Sequence, residues 1–283
     1  MAEMKFVKEL LSTGTGTEGS LLIPATIHGV LIGEVEKALI PRSEAALFFG
    51  PAQIPGSSVN INLETADSMD VRQVPEGAEI PLDQAAYSNI QVTPDKYGVS
   101  IRITRELLED AMFPLLEQNL RVAGKRFAEN ENSLVIAELD TAANTVAGGA
   151  ELQIGNMTTA MQFLEDSDYS GSTFFVGMEV LNDLRNIDTF VEANKLGSTE
   201  MLDKGFVGRL YGLNVIKVST NAGMTATTSY VVDRSQAYAI AEKRPMTVER
   251  FDLPSYDMSA AAVTQRIAVK ALRTSAIAKI TTS

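Results

Sequence analysis

The sequence of 283 residues has no cysteine and no tryptophan, and His28 is its only histidine. Without cysteine there is no disulfide framework, no thiolate metal site and no cysteine nucleophile. A Ser–His–acid triad would have to use His28 itself. Since His28 has no second histidine or cysteine as a partner, we interpret it as a packed or surface residue. We therefore expect no catalytic, cofactor-binding or metal-binding residues.

Long apolar runs are also missing. No window reaches the ~18 consecutive apolar residues that predict a membrane-spanning helix, so we expect no membrane partner. The first ten residues mix acids with bases and have no apolar core, which is not the pattern of a secretion signal. We expect a protein that is made and kept in a cytoplasm-like compartment, and the lack of cysteine fits that setting.

Basic residues are scarce: 24 Lys and Arg stand against 36 Asp and Glu, a formal net charge of -12. Proteins that hold DNA phosphates usually carry a basic surplus, because counterion release supplies the affinity. Any contact with nucleic acid should therefore be local, weak and non-specific. The apolar content of 45% is ordinary for a folded chain, and the length suits two domains or one elaborated domain.

The N-terminal residues, 1–50, are typical of an arm and not of a compact domain. Ser12–Ser20 is flexible by composition, and an amphipathic helix is predicted from Ala25 to Ile40, where Pro41 ends it. Gly14–Gly19 matches G-x-G-x-x-G, but a dinucleotide site needs that loop between a strand and a helix. Here a charged, helix-like segment precedes it and no helix follows it, so the flexible arm is the preferred interpretation.

Residues 51–103 are β-like and predict a projecting β-hairpin. Apolar and polar residues alternate over Val59–Leu63, and a second run, Tyr87–Thr93, leads into the strictly alternating Tyr97–Ile103. The stretch from Asn60 to Thr93 has a net charge of -5. It contains one base, Arg72, and the acids Glu64, Asp67, Asp70, Glu76, Glu79 and Asp83.

Residues 104–140 carry the clearest helical pattern. Thr104 is a candidate N-cap for a first helix, Arg105–Met112. Pro114 begins a second, longer helix that continues to Leu139, about 39 Å at 1.5 Å per residue. Its apolar stripe comprises Leu116, Leu120, Ala123, Phe127 and Leu134. Its basic residues, Arg121, Lys125 and Arg126, are interpreted as partners of Glu117 and Glu129 at helical spacing. Met112 is interpreted as a packing residue.

The remaining chain divides by composition. Residues 141–155 are small and Gly-rich and predict a boundary, residues 156–235 are mixed α/β, and residues 236–283 are mostly β. Helices are predicted at Met157–Leu164 and Glu179–Asn186, and strands at Thr173–Val176, Asn214–Ser219, Tyr230–Asp233, Ala237–Ala241, Met246–Asp252, Gln265–Leu272 and Ala276–Thr281. After Asp257 there is no acid, and Arg266, Lys270, Arg273 and Lys279 make this segment locally +4.

Acidic pairs such as Glu109–Asp110 and Glu165–Asp166 are interpreted as solvated faces or intersubunit partners, since no spacing singles out an acid–base pair. An oligomeric enzyme that uses carboxylates remains an alternative of a different class. It would need an enclosed cleft with acids of shifted pKa. An arm, a projecting hairpin and one long helix cannot bury their surfaces within a monomer, so we expect an oligomer held by exchanged elements.

Three stretches carry a resemblance to a known family: Pro94–Asp110, Gly205–Val215 and Arg244–Arg250. Together with the order of segments, they resemble the major capsid proteins of tailed bacteriophages, which have the Hong Kong 97-like fold. The resemblance implies an α+β fold of four parts. These are an N-terminal arm (1–54), an extended β-hairpin loop (55–93), a discontinuous peripheral domain around a long spine helix (94–145 and 236–283), and an axial domain (146–235).

The function that the resemblance implies is structural and not enzymatic. Hexamers and pentamers would form an icosahedral viral head around double-stranded DNA, in a virion assembled in the host cytoplasm. Expected partners are further copies of the chain, a portal protein and, where a virus uses them, scaffolding or decoration proteins. Some relatives crosslink through a loop lysine, but this chain has none between Lys37 and Lys96. The alternative is an encapsulin-like nanocompartment shell that packages a cargo enzyme.

Overall fold

A computed structural model describes residues 40, 42–64, 72–80, 82, 86–104, 106–107, 115–186 and 209–282. Apart from Ile40, the predicted arm helix lies outside these residues. So do the G-x-G-x-x-G segment, His28, Glu109–Asp110 and Met112. Within the described chain, no helix is long and apolar enough to span a membrane.

The described residues form a mixed α+β fold with two larger sheets and a separate hairpin. In chain order the strands are β1 (Leu47–Phe49), β2 (Val59–Glu64), β3 (Tyr87–Val92), β4 (Asp95–Thr104), β5 (Asn144–Gly149), β6 (Thr173–Val176), β7 (Arg209–Leu210), β8 (Leu213–Lys217), β9 (Thr228–Val232), β10 (Tyr238–Leu253), β11 (Met258–Ala271) and β12 (Ile277–Thr282). The α-helices are α1 (Leu115–Leu139), α2 (Ile154–Glu165) and α3 (Met178–Asn186).

The four-stranded sheet has the order β1-β10-β11-β4. The two strands predicted at Ala237–Ala241 and Met246–Asp252 are one strand, β10, which pairs antiparallel with β11. The pairing register of β10 shifts between Glu242 and Thr247. Pro245 lies in this interval and has no N–H for a ladder hydrogen bond, which explains both the irregularity and the break in the sequence pattern.

The predicted hairpin is confirmed as β2 and β3, which pair antiparallel from Val59 opposite Val92 to Glu64 opposite Tyr87. The alternating run Tyr97–Ile103 is not part of it. That run lies in β4, which pairs with β11 in the four-stranded sheet. Its alternation reflects packing against the long helix, since the side chains of Tyr97 and Ile101 contact the cluster of residues around Phe127.

The long helix is confirmed: α1 has 25 residues, about 37 Å at 1.5 Å per residue. Its first half packs Leu120, Ala123 and Phe127 against Met246 and Val263 of the four-stranded sheet. Its second half contributes Val135, Ile136 and Leu139 to a core shared with both sheets, together with Phe175, Tyr230, Tyr238, Ile267 and Ile277. The helix therefore joins the two sheets. Thr104, at the end of β4, was predicted to be an N-cap. Its Oγ1 accepts a hydrogen bond from the Leu107 N–H at 3.3 Å, as an N-cap residue does.

The six-stranded sheet has the order β5-β12-β9-β6-β8-β7, with α2 and α3 contributing to its core. The Gly-rich stretch 141–155 is not an open boundary, because it contains β5 and the start of α2. A Cβ on Gly148 would lie 2.8 Å from Thr282 Cγ2. Glycine here permits the close approach of β5 to β12, so the small, Gly-rich composition that predicted a boundary reflects strand packing.

Most other predicted elements agree closely with the structure, but the strand predicted at Gln265–Leu272 is β11, which begins seven residues earlier at Met258. β6 matches its predicted bounds residue for residue, and α2, α3, β8 and β9 match within three residues. The C-terminal strand predicted at Ala276–Thr281 is β12, which pairs with both β5 and β9. The predicted axial domain was 146–235, but the six-stranded sheet extends beyond both limits. β5 begins at Asn144, before the first limit, and β12 lies after the second. The division into peripheral and axial domains stays a prediction.

Candidate assembly surfaces

Arg42 attaches the segment before β1 to the body of the protein. Its Nε and Nη2 donate to the two carboxylate oxygens of Glu131 on α1, at 2.8 and 2.9 Å. Its Nη1 and Nη2 also donate to Glu242 on β10, each at 3.1 Å. Gln265 Nε2 donates to Glu242 at 3.1 Å and to Glu131 at 3.3 Å. These four residues, the Arg42 cluster, join three distant parts of the chain.

The Arg42 cluster contains one base and two acids, and both acids are buried. Glu131 is 3% exposed and Glu242 is 6% exposed. Burial alone would lower the pKa of Arg42, but the hydrogen bonds and charges of the two glutamates outweigh it and hold that pKa above its ordinary value. Arg42 thus stays charged, and removing it would leave two buried carboxylates with no cation.

The root of the hairpin is clamped to the four-stranded sheet. Ile54, Ile61 and Val92 pack against the small residues Ala239 and Ala241 of β10. Two basic side chains add polar contacts: Lys243 Nζ donates to the Gly56 carbonyl before β2, and Arg273 Nη2 donates at 2.9 Å to the carbonyl of Glu64, at the far end of the β2–β3 ladder. The paired strands of the hairpin are therefore held against the body at both ends.

Beyond that root the hairpin is mostly exposed. In the loop between its strands, Ile80 is 74% exposed and Leu82 is 98% exposed, and Glu76 and Glu79 are exposed beside them. Large exposed apolar residues rimmed by charges are typical of protein–protein contacts. The geometry therefore presents an acidic loop with two apolar side chains that nothing in the described chain covers.

The four bases after Asp257 are used within the subunit. Lys270 pairs with Glu138 at 3.2 Å and Lys279 with Asp140 at 2.5 Å, both acids lying at the end of α1. Arg266 donates to the Pro94 carbonyl at 3.1 Å, and Arg273 donates to the Glu64 carbonyl of the hairpin. The hydrogen bond from Lys279 lowers the pKa of Asp140, and one from Tyr230 Oη at 3.0 Å adds to this, although burial opposes it.

The acids predicted to be solvated or paired behave accordingly where the structure describes them. Arg126 pairs with Glu129 at 2.8 Å at i,i+3 spacing, as predicted. Glu165 and Asp166 are exposed at the end of α2. The enzyme alternative would need enclosed acids. Glu131 and Glu242 are buried acids that lie together, but their carboxylates accept hydrogen bonds from Arg42 and Gln265. Within the described residues, no group of three or more acids or histidines could hold a metal ion.

The family of the chain follows from its sequence between β3 and β12. The sequence model of the family described as phage capsid protein matches residues 88–280, well over half of the chain. This chain belongs to the phage capsid protein family. The resemblance inferred from Pro94–Asp110 and the order of segments is thereby confirmed, and the capsid protein has a structural role in a shell. No curated protein sequence matches it.

Solved structures share the fold of this capsid protein. One of Microbacterium phage Oxtober96 matches with a TM-score of 0.67 at 16% identity, over 85% of this chain and 90% of that one. The mature capsid of bacteriophage PhiM1 matches with a TM-score of 0.68 at 10% identity, over 87% of each chain. The virus-like particle of Pyrococcus furiosus matches with a TM-score of 0.60 at 13% identity, over 90% of this chain and 98% of that one.

Sequence reasoning missed the Arg42 cluster entirely. A signal existed, since Glu242 follows the buried run Tyr238–Ala241 and Gln265 lies at a buried position of an alternating strand. A charged or amide residue at such a position needs a buried partner. The partner could not be named, because Arg42 lies 200 positions from Glu242.

Proposed function

We propose that this capsid protein is the major subunit of an icosahedral phage head, assembled from hexamers and pentamers and enclosing double-stranded DNA. The match of residues 88–280 to the family carries the proposal, and the fold shared with the PhiM1 mature capsid supports it. Residues 1–54 would be the arm and 55–93 the extended loop. The peripheral domain would comprise 94–145 with 236–283, and the axial domain 146–235.

The charge of the subunit suits a container of DNA. Because each subunit has a net charge of -12, the shell would not strongly attract the phosphates of packaged DNA. Contacts between the shell and the DNA would therefore be weak and non-specific. Further partners would be a portal protein and, where the phage uses them, scaffolding or decoration proteins. Assembly would take place in the host cytoplasm.

In this proposal the acidic loop meets bases of a neighbouring subunit. Glu76 and Glu79 are exposed, and exposed bases such as Lys96 and Arg102 on β4 are suitable partners. Replacing Glu76 and Glu79 with Lys should therefore reduce particle yield. The matched control changes Glu165 and Asp166 to Lys, the same change of charge on exposed residues of another element. Equal yields from both variants would contradict the pairing.

The decisive experiment expresses residues 1–283 alone and examines the product by light scattering and negative-stain electron microscopy. Closed shells or capsomer rings are expected. A subunit that stays monomeric at high concentration, alone and with the products of its neighbouring genes, would overturn the proposal.

The second candidate is an encapsulin-like shell that packages a cargo enzyme. The likeness to the Pyrococcus furiosus virus-like particle favours it, with a lower TM-score than the phage capsids above. Terminase and portal genes beside this gene would support the phage head. A neighbouring cargo-enzyme gene, and copurification of that enzyme with the shells, would support the compartment.

A further inference from the structure

The free edge of β10 is a strand-pairing surface. β10 has 16 residues, but β1 pairs with its outer edge only at Ala239–Ala241. Among the described residues, no other strand pairs with that edge. Beyond the irregular interval, Val248–Leu253 runs in regular register with β11 on its other side. Six residues is the length of an ordinary strand, and open edges of this kind accept a strand from another chain.

This end of β10 is uncovered on both faces as well as at its edge. Glu249, Arg250, Phe251 and Asp252 are four exposed residues in succession. Phe251 is 40% exposed, and Tyr256 in the following turn is 69% exposed. Aromatic residues are enriched in protein interfaces. From residue 246 to residue 253 there is no proline or lysine, the residues that commonly protect an edge from pairing.

We propose that Glu249–Leu253 pairs antiparallel with the same segment of a second copy, across a two-fold axis at Phe251. The inference rests on the proposed shell for its setting, because an icosahedral shell has two-fold axes, and at such an axis a surface meets the same surface of another copy. The chain that pairs with the open edge of β10 is a second copy of this protein, since the charges of the segment are complementary to those of its own copy.

Symmetry and charge select the register. A two-fold axis normal to the sheet keeps the same face of both copies on the same side. Opposite residues of an antiparallel pair also share a face. One residue must therefore lie opposite its own copy. An axis at Glu249, Arg250 or Asp252 would place like charges opposite each other, which is destabilising. Of these four exposed positions, Phe251 avoids this.

With the axis at Phe251, the flanking charges match. Arg250 of each copy lies opposite Asp252 of the other, which gives two ion pairs on one face of the joined sheet. The carboxylate of Asp252 is held in place by Ser259 Oγ, which donates to it at 2.7 Å. On the other face the two Phe251 rings meet, and aromatic cross-strand pairs are stabilising.

The absence of cysteine allows a direct test in assembled particles. Phe251→Cys would place two thiols at facing positions about 4.5–5.5 Å apart between Cα atoms, within the range of a disulfide. Mild oxidation should then give a covalent dimer on a non-reducing gel. The matched control is Glu249→Cys, whose two thiols would lie about 13 Å apart along the strands. This variant should therefore stay monomeric on the gel. Particles of Phe251→Cys that yield no dimer, or equal dimer from both variants, would overturn the register.

A charge exchange provides the second test, which does not depend on a new cysteine. Arg250→Asp and Asp252→Arg should each lower particle yield about tenfold by creating like-charge pairs, and the double variant should restore it. Particles that form equally well from both single variants would overturn the pairing while leaving the shell intact. If wild-type protein forms no particles under any condition, the proposed function fails instead. The two failures are therefore distinguishable.

Discussion

Arg42 donates two hydrogen bonds to the carboxylate of Glu131, 89 positions later in the chain, in a parallel, bidentate arrangement. The same guanidinium reaches Glu242, which lies on a different element. Bidentate guanidinium–carboxylate pairs are the strongest kind of ion pair and fix geometry as well as charge. The segment that precedes β1 is therefore held against the spine helix and β10 by one side chain.

Replacing Arg42 with Met should lower the free energy of unfolding by about 3–5 kcal/mol, because Glu131 and Glu242 would be left buried without a cation. Urea denaturation of unassembled subunits measures this. The matched control is Arg102→Met on the exposed face of β4, where the change should stay within about 0.5 kcal/mol. Adding Glu131→Gln and Glu242→Gln to Arg42→Met should recover part of the loss. If the triple variant is less stable than the single one, the cluster does not act through its charge.

Asp140 should make a pH-dependent contribution through Lys279 and Tyr230. Because the pKa of Asp140 is lowered from 3.8 in the folded state, its contribution is present above that value and is lost as the pH falls through the lower folded pKa. Asp140→Asn should therefore reduce stability at pH 7, and the difference from wild type should shrink below about pH 4. Unfolding curves at pH 7 and pH 3 test this, and a difference that is the same at both values would contradict it.

Gly177 and Gly155 should respond in opposite ways to substitution by alanine. A Cβ on Gly177 would lie 2.8 Å from the Thr225 carbonyl oxygen and also against that of Ala226, so Gly177→Ala should destabilise the subunit by about 1–3 kcal/mol. A Cβ on Gly155, in the first turn of α2, meets nothing within 4 Å. Gly155→Ala should stabilise by up to about 1 kcal/mol. Thermal unfolding of both variants would show shifts of opposite sign, and shifts of the same sign would refute the argument.

The side chains of Ile80 and Leu82 should contribute to the stability of the assembled particle and not to that of the free subunit. Changing both to Ser should leave subunit unfolding unchanged, since both side chains are largely exposed. It should lower the temperature at which assembled particles dissociate, because the contact with a neighbour loses apolar area. Val122→Ser on α1, another exposed apolar residue, is the control. Particles that melt like wild type would show that the loop tip stays in solvent.

Sequence patterns predicted elements whose cause is local. The bounds of β6 were predicted correctly because a short β-prone run, Thr173–Val176, follows a Gly-containing turn, and all four residues are buried. The length of α1 followed from Pro114 and an unbroken helical pattern. In contrast, β10 was divided in two, because the irregular pairing around Pro245 interrupts the alternation without ending the strand.

The surfaces were predictable only in part. The acidic hairpin was visible because its charge and turn residues are contiguous, whereas the pairing of Lys270 and Lys279 with acids of α1 joins residues more than 130 positions apart. The segment after Asp257 has a local charge of +4, yet two of its four bases form ion pairs within the subunit. No periodicity in a sequence encodes such distant pairs.

The order of strands β5-β12-β9 also governs when a newly made chain can finish folding. β5 is attached to its sheet through β12, and Asn144 lies opposite Ala278. Because the ribosome adds residues from the N-terminus onward, β5 waits for its partner until almost the whole described chain has been synthesised. Partly translated subunits therefore lack the complete six-stranded sheet, because β5 has no partner strand until β12 has been made.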